Sequence, residues 1–165
     1  MNWYAVYTNP RAEKKAHAEL VSKGIESYLP LLRTLKLWSD RKKWVEEPLF
    51  RSYIFVNISP DRYYDVLNTP GVVRYITFEG KAVPVPQNQI DAIRYYLSET
   101  ETLPDTGTLH DLVAGSPVEV TRGPLKGLQG LIVDHLGQKR VRIEIDALGQ
   151  FLNLTISSRD LKALH

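Results

Sequence analysis

The order of hydrophobic and polar positions in the first part of the chain alternates between strand and helix patterns. Trp3 to Thr8 is short and aromatic, which favours a strand. Asn9-Pro10 then offers a helix N-cap with proline at the first helical position. The helix is predicted to continue to about Lys23 and to end at Gly24 in left-handed geometry. Its apolar face is formed by alanine and leucine at four-residue spacing, namely Ala12, Ala16 and Leu20.

The next segments complete a first lobe of mixed type. Extended runs at 27–38 and 44–58, joined by the polar residues 39–43, predict a long hairpin. Ser59-Pro60 marks the start of a second helix, followed by strands at 72–77 and 82–85 and a helix at 87–97. We therefore predict a β-α-β-β-α-β-like open sheet with its helices on one face.

The last fifty residues show strict alternation. Val141, Ile143 and Ile145 alternate with charged residues, and a second run has Leu152, Leu154 and Ile156 at every other position. Such runs predict half-buried strands of a small β-barrel at 114–165. Residues 100–113 contain Pro104, Gly107 and little apolar surface, which favours a linker over an ordered surface loop. The expected fold class is α+β, with domains at 1–99 and 114–165.

Composition narrows the classes of protein. The chain of 165 residues has 21 Lys+Arg against 19 Asp+Glu, a net charge of +2, and no cysteine, which excludes disulfides and thiolate chemistry. No apolar stretch approaches membrane-spanning length, and the N-terminus lacks a signal-peptide pattern. We expect a cytoplasmic protein that does not associate with membranes.

Enzyme chemistry finds no support in the motifs. The four histidines have no metal-ligand spacing, and phosphate-binding loops and nucleophile elbows are absent from the sequence. Glu46 and Glu47 point to opposite faces of a predicted strand, which argues against joint acid–base work. We expect no catalysis, no metal and no cofactor.

A glycine-rich stretch at 117–134 separates two β-type runs. Gly123 and Gly127 suit positive φ angles, Pro124 fixes the turn, and Gly130 permits close approach of another backbone. With Lys126 between them, these residues resemble the KOW motif. The loop could bind a partner, or its glycines could serve only to shape a barrel corner.

Four blocks earlier in the chain accompany this motif. They are Trp3-Tyr4-Ala5-Val6-Tyr7, Arg11-Ala12-Glu13-Lys14-Lys15-Ala16, Pro48-Leu49-Phe50-Arg51-Ser52-Tyr53-Ile54-Phe55-Val56 and Gly71-Val72-Val73-Arg74-Tyr75-Ile76. In this order they resemble the N-terminal domain of the NusG family, so the resemblance covers nearly the whole chain. Pro48-Leu49-Phe50 before Tyr53, with Trp38 to Lys43 upstream, looks more like the specialised RfaH and UpxY types.

The resemblance implies a monomeric transcription elongation regulator that binds RNA polymerase and promotes processive elongation and antitermination. A housekeeping NusG-type factor is the first alternative, and an RNA-binding, ribosome-associated KOW protein is the second. In the family, the barrel recruits a small-subunit ribosomal protein or the termination factor Rho.

Two groups of residues are candidates for binding. Strand parity places Tyr53 and Phe55 on the open sheet face, either exposed or covered by the hairpin or the C-terminal lobe. The resemblance implies that this surface docks on the polymerase clamp helices through Tyr7, Phe50, Tyr53 and Phe55. Many relatives have Pro-Gly where this chain has Arg51-Ser52.

The second group is basic. Arg41, Lys42 and Lys43 occupy the predicted hairpin tip, and they suit either phosphate contacts or a solvated loop. We expect Arg11, Lys14, Lys15 and Arg74 to add to the same side. The resemblance implies contact with upstream DNA or with the non-template strand.

Overall fold

A computed structural model describes residues 1–99, 114–135 and 138–164. The chain forms two compact units, Met1–Val85 and Pro86–His165. The predicted linker, 100–113, lies outside the described residues, so the predicted domain bounds at 99 and 114 stay a prediction. No helix in the described part of the chain is long and apolar enough to cross a bilayer.

The first unit is built on an antiparallel sheet with strand order β2-β5-β1-β6, and β9 also pairs with β1. Two separate two-stranded hairpins, β3–β4 and β7–β8, accompany it. The elements in chain order are β1 (Asn2–Thr8), α1 (Glu13–Ser22), β2 (Glu26–Tyr28), β3 (Leu31–Leu37), β4 (Lys42–Pro48), β5 (Tyr53–Ile58), a 3₁₀ turn (Pro60–Arg62), α2 (Tyr63–Leu67), β6 (Val72–Tyr75), β7 (Thr77–Phe78), β8 (Lys81–Ala82) and β9 (Pro84–Val85).

The core of this unit lies between one sheet face and two helices. Val6 and Ile54 on the sheet are fully buried with Ala16 and Leu20 of α1, and Val66 of α2 belongs to the same cluster. The four-residue spacing of Ala16 and Leu20 thus faces the sheet, as predicted. Both helices of the first unit cover the same face.

The start of α1 differs from the prediction. The helix begins at Glu13 and not after Asn9-Pro10, because Arg11 adopts a left-handed conformation with φ 64°. The Ala12 amide donates to the Asn9 carbonyl at 3.0 Å, which closes a turn ahead of the helix. At the other end Gly24 has φ 76°, as expected for a glycine that ends a helix.

Both long extended runs are divided. The first run becomes β2 and β3, which pair with different strands on either side of Leu29-Pro30. The second run becomes β4 and β5, separated by a turn in which Ser52 has φ 67°. The turn is anchored by the Thr8 amide, which donates to the Ser52 carbonyl at 2.8 Å. A serine therefore occupies a backbone conformation that favours glycine.

The second unit has a five-stranded antiparallel sheet of order β13-β12-β11-β10-β14. Val141 and Ile143 of β12 are buried with Leu152 and Leu154 of β13, which confirms the predicted alternation. Its elements are α3 (Gln87–Glu99), β10 (Pro117–Val120), β11 (Gln129–His135), β12 (Gln138–Ile145), β13 (Gln150–Leu154), a 3₁₀ turn (Ser158–Asp160) and β14 (Leu161–Ala163).

Helix α3 lies in this second unit, whereas the sequence places it in the first lobe. The Tyr95 hydroxyl donates to the Thr155 carbonyl at 2.5 Å, and the Gln89 amide donates to the Asp146 carboxylate at 3.3 Å. The apolar stripe at Ile90 and Ile93 predicts that the helix packs on a sheet. That stripe cannot indicate which of two sheets is the partner.

The glycine-rich loop has the predicted backbone. Gly123 and Gly127 have φ values of 87° and 89°. A Cβ atom at Gly130 would lie 2.5 Å from the Arg142 carbonyl oxygen and 2.6 Å from Ile143 Cδ1. Close approach of β12 therefore requires glycine at position 130, which confirms that prediction.

Candidate functional site

An aromatic cluster occupies the sheet face opposite α1 and α2. Tyr7 of β1 pairs directly with Tyr53 of β5, and Ala5 pairs with Phe55, so these side chains share one face. Tyr28 of β2 pairs with Phe55 from the other side. We define the aromatic cluster as Tyr7, Tyr28, Phe50, Tyr53 and Phe55.

The rings of this cluster contact one another in two groups. Tyr7 and Tyr53 meet edge to face with centroids 5.6 Å apart. Phe50 meets Phe55 edge to face at 6.4 Å, and Tyr28 lies 6.4 Å from Phe55 at a tilt of 31°. Phe50 reaches the cluster from the turn before β5, as its predicted role required. These separations are within the range that aromatic pairs prefer.

Burial divides the cluster and corrects one expectation. Phe55 is fully buried and Phe50 nearly so, whereas Tyr7 and Tyr53 are half-buried. The prediction that Phe55 is exposed is therefore wrong, and so is that for Phe50. Strand parity gives the face on which a side chain lies, but Phe55 lies between neighbouring rings that remove it from solvent. The accessible part of the predicted surface is the Tyr7–Tyr53 pair.

A cation extends that accessible pair. Arg74 of β6 is the cross-strand neighbour of Tyr7, and its guanidinium carbon lies 5.7 Å from the centre of the Tyr7 ring. Arg74, Tyr7 and Tyr53 thus form one row across β6, β1 and β5. Tyrosine and arginine together provide apolar area, hydrogen bonding and charge, the composition typical of energetically important interface residues.

The basic residues do not form a single surface. Ala16 and Leu20 place α1 on the sheet face with Val6, whereas Arg74 lies on the opposite face beside Tyr7. The expectation that Arg74 adds to the same side as the α1 cations is therefore wrong. A strand register decides the face of Arg74, and the sequence alone did not supply that register.

On α1, the exposed basic residues are Arg11, Lys14 and Lys15, with Arg11 just ahead of the helix. The Lys14 ammonium donates to the Glu46 carbonyl of β4 at 2.9 Å. This bond links the helix to the hairpin, so Lys14 has a structural contact as well as a charge.

The β3–β4 hairpin carries Arg41, Lys42 and Lys43 at its tip, and all three are exposed. Lys42 pairs with Leu37 and Lys43 pairs with Lys36, so the two lysines alternate between the ribbon's faces. Glu46 and Glu47 alternate in the same way, opposite Arg33 and Leu32. This arrangement agrees with the prediction that the two carboxylates cannot act together.

Positive charge also shapes the base of the hairpin. The Lys36 ammonium lies 2.5 Å from a Glu47 carboxylate oxygen. That hydrogen bond is the main cause that lowers the pKa of Glu47, and the charges of Lys36, Arg51 and Lys14 lower it further. In the described ranges, no group of three acidic or histidine side chains is placed to hold a metal ion.

Sequence reasoning overlooked the two tryptophans of the hairpin as binding residues. Trp38 and Trp44 are exposed, and each has an arginine guanidinium over its ring, Arg41 at 5.3 Å and Arg33 at 4.8 Å. The available signal was two tryptophans flanking a polar, basic turn. Pairing Arg33 with Trp44 required the register of β3 and β4.

Comparisons with known proteins agree on one family. A family model described as "Transcription termination factor nusG" matches residues 1–94. The protein "Transcription termination/antitermination protein NusG" of Halalkalibacterium halodurans is 25% identical over 165 residues, covering 90% of each chain. The protein of the same name from Bacillus subtilis is 26% identical over 166 residues, again covering 90% of each.

A solved structure supports the fold. The structure entitled "Domain interaction in Thermotoga maritima NusG" matches with a TM-score of 0.55 at 19% identity, covering 99% of this chain and 97% of that one.

Proposed function

Because the chain belongs to the NusG family of transcription termination/antitermination factors, we propose that it binds RNA polymerase and promotes processive elongation and antitermination. The observation that carries this proposal is the row of Arg74, Tyr7 and Tyr53, which presents accessible tyrosines and a cation on one sheet face. The polymerase clamp helices are the proposed partner of this row.

The buried members of the aromatic cluster take a supporting role in this proposal. Phe50 and Phe55 lie against each other next to the accessible tyrosines, and they fix the face from which Tyr7 and Tyr53 project. Rigid support lowers the entropy that a side chain loses on binding. The polymerase contact is therefore made by Tyr7 and Tyr53, with Phe50 and Phe55 holding the surface in shape.

We further propose that the basic hairpin lies against DNA of the transcription bubble. Arg41, Lys42 and Lys43 are exposed at the tip, and phosphate contact depends on charge and position rather than on base sequence. Arg11 and Lys15, exposed near the start of α1, extend the basic surface of the first unit. Arg74 belongs to the polymerase row in this scheme.

The second unit is proposed to be a KOW domain that recruits another protein. The turn at Gly123, Pro124, Lys126 and Gly127 has the backbone that such a loop requires. A small-subunit ribosomal protein and Rho are the proposed partners. The tether would raise the partner's effective concentration near the transcript.

Within the family we propose a specialised, operon-directed role of the RfaH or UpxY type, with a housekeeping NusG role as the alternative. The signature Pro48-Leu49-Phe50 before Tyr53 supports the specialist. The proposed site of action is the bacterial cytoplasm, where NusG-family factors work, and the proposed role is regulatory, without catalysis or a cofactor.

Mechanistically, the protein would act as a monomer that favours the closed, elongating state of the polymerase clamp. A bound protein shifts such an equilibrium only by its preference for one state.

The proposal is tested in a purified transcription system. Core polymerase is started on a template with an intrinsic terminator, and the fraction of full-length transcript is measured with and without the protein. We expect the full-length fraction to rise with protein concentration and to saturate. No change in read-through or in elongation rate, with protein shown to be folded, would contradict the proposed function.

A further inference from the structure

Two tryptophans of the β3–β4 hairpin share an arrangement that the proposed polymerase contact does not use. Trp38 is 46% exposed with the Arg41 guanidinium 5.3 Å from its ring centre, and Trp44 is 56% exposed with Arg33 at 4.8 Å. A guanidinium over one face of an indole that is half exposed leaves the other face open to solvent. Each pair therefore presents a flat aromatic surface with a positive charge beside it.

Exposed indoles on a two-stranded ribbon point to a ligand. Tryptophan is a large apolar side chain that proteins bury on average, and Trp3, the third tryptophan, is only 4% exposed. Leu35 and Leu37 on the same hairpin are also exposed. An apolar patch rimmed by charges is typical of a binding surface.

The charge of the hairpin identifies the class of ligand. Between Leu31 and Pro48 the sequence has five basic residues, Arg33, Lys36, Arg41, Lys42 and Lys43, against three acidic ones, Asp40, Glu46 and Glu47. The excess of two equals the net charge of the entire chain. Glu47 is paired with Lys36, so the tip itself is the positive part. A ligand that combines negative charge with flat rings satisfies both features.

We propose that the β3–β4 hairpin binds single-stranded DNA by stacking bases on Trp38 and Trp44, with Arg33, Arg41, Lys42 and Lys43 contacting phosphates. Aromatic side chains in a basic surface are the usual means of binding single strands, because every base has a flat face. In duplex DNA those faces are already stacked within the helix. This inference rests on the proposed function, which places the hairpin at the transcription bubble.

The ribbon geometry determines how the strand would lie. Trp44 pairs with Leu35, on the ribbon face that also carries Lys42, opposite Leu37. Trp38 follows Leu37 and belongs to the turn, where its amide donates to the Arg41 carbonyl at 2.8 Å. Because the two indoles differ in strand parity, the DNA passes around the tip and is not confined to one face.

The test uses the full chain without polymerase. A fluorescein-labelled single-stranded DNA of about 12 nucleotides, within the usual site size, is titrated with protein and followed by anisotropy. The same sequence as a duplex and as RNA serves as the comparison. We expect the single-stranded DNA to bind more tightly than the duplex and at least as tightly as the RNA. Preference for duplex or for RNA would overturn the proposal.

Variants separate stacking from charge. Trp38→Ala and Trp44→Ala are each expected to weaken binding by roughly 5- to 140-fold, because stacking of a base on an aromatic ring contributes about 1–3 kcal/mol. Trp38→Phe and Trp44→Phe are expected to restore most of this loss. The salt slope should stay unchanged in the tryptophan variants, whereas the triple variant Arg41→Ala, Lys42→Ala, Lys43→Ala should lose about 0.7 per phosphate contact.

Two controls remove an exposed apolar side chain without removing an indole. Leu37→Ala acts on the same hairpin, and Phe78→Ala acts on the β7–β8 hairpin; the two side chains are 68% and 71% exposed. Both are expected to leave DNA affinity at the wild-type level. If the tryptophan variants bind DNA like wild type, or if the control variants weaken binding equally, base stacking is wrong.

A parallel pull-down with core polymerase separates this inference from the proposed function. Polymerase binding without DNA binding would contradict only the stacking proposal. DNA binding without polymerase binding would contradict only the proposed function. Loss of polymerase binding in the tryptophan variants, with DNA affinity unchanged, would show that the hairpin is a protein-docking surface and would overturn the proposal.

Discussion

Tyr7 and Tyr53 meet edge to face across β1 and β5, with ring centroids 5.6 Å apart and an interplanar angle of 69°. The pair remains half-buried, while Phe55, two residues farther along β5, is fully buried. Neighbouring positions on one sheet face thus have different physical roles. Tyr53 is available to a partner, and Phe55 contributes to the stability of the fold.

The first prediction concerns this difference in roles. Phe55→Ala is expected to lower the free energy of unfolding by about 3–5 kcal/mol, as truncation of a core phenylalanine usually does. Tyr53→Ala should cost clearly less, because its side chain is partly hydrated in the folded state. Urea denaturation of both variants measures the two values. A Phe55→Ala variant as stable as wild type would contradict the observed burial.

The second prediction concerns the turn between β4 and β5. Ser52 has φ 67°, a region that costs a non-glycine residue roughly 1–2 kcal/mol. Ser52→Gly removes that strain but adds chain entropy to the unfolded state, so we expect a net stabilisation of up to about 1 kcal/mol. Thermal unfolding provides the measurement.

Ser157→Gly is the matched control for that change. Ser157 has φ −63°, which any residue adopts, so only the entropic cost of glycine remains. We expect this variant to lose roughly 0.5–1 kcal/mol. Destabilisation of the Ser52→Gly variant by a similar amount would show that position 52 is not strained.

Much of the fold could be predicted from the sequence because local patterns specify local structure. The apolar spacing of Ala16 and Leu20 indicated the buried face of α1, and alternation at Val141 and Ile143 indicated β12. The start of α1 was missed because the left-handed Arg11 overrides the Asn9-Pro10 signal. The partner sheet of α3 depends on long-range packing, which no short pattern records.

The candidate site could be predicted only in part for the same reason. Parity placed Tyr53 and Phe55 on one face correctly. Their different burial depends on the rings of Tyr28 and Phe50, which lie far from each other in the sequence. The position of Arg74 beside Tyr7 depends on the β1–β6 register.

The third prediction concerns alkaline pH. Burial raises the pKa of the Tyr75 phenol above its ordinary value of 10.0, with Tyr63 as the next cause. The folded state therefore keeps this proton at a pH where the unfolded state releases it. Stability from this group is complete below about pH 10 and declines as pH rises above it, by up to about 1.4 kcal/mol per pH unit.

Tyr75→Phe tests that dependence. The variant loses the hydrogen bond from the Tyr75 hydroxyl to the Tyr63 carbonyl at 2.8 Å, so we expect it to be about 1 kcal/mol less stable near neutral pH. Its stability should fall less steeply between about pH 9 and pH 11 than that of wild type. Parallel denaturation curves for the two proteins over that range would disprove the assignment.

The fourth prediction concerns the glycine loop. Gly130→Ala would place a methyl group 2.5 Å from the Arg142 carbonyl oxygen, so the second unit should lose about 1–3 kcal/mol through overpacking. Amide hydrogen exchange in β11 and β12 measures this loss in the full chain. Gly149→Asn is the control, because asparagine tolerates its φ of 62° and no atom lies within 4 Å of the new Cβ. Equal protection in the Gly130→Ala variant would contradict the close approach.

The account's central claim is that the row of Arg74, Tyr7 and Tyr53 grips RNA polymerase, and the affinity of Tyr53→Ala for core polymerase tests it most directly. An aromatic side chain at the centre of an interface often contributes 2 kcal/mol or more, so we predict a loss of roughly thirtyfold or greater, with Tyr64→Ala, an exposed tyrosine on α2, as the control that binds normally. Wild-type affinity for a folded Tyr53→Ala variant, or equal loss for Tyr64→Ala, would contradict the claim.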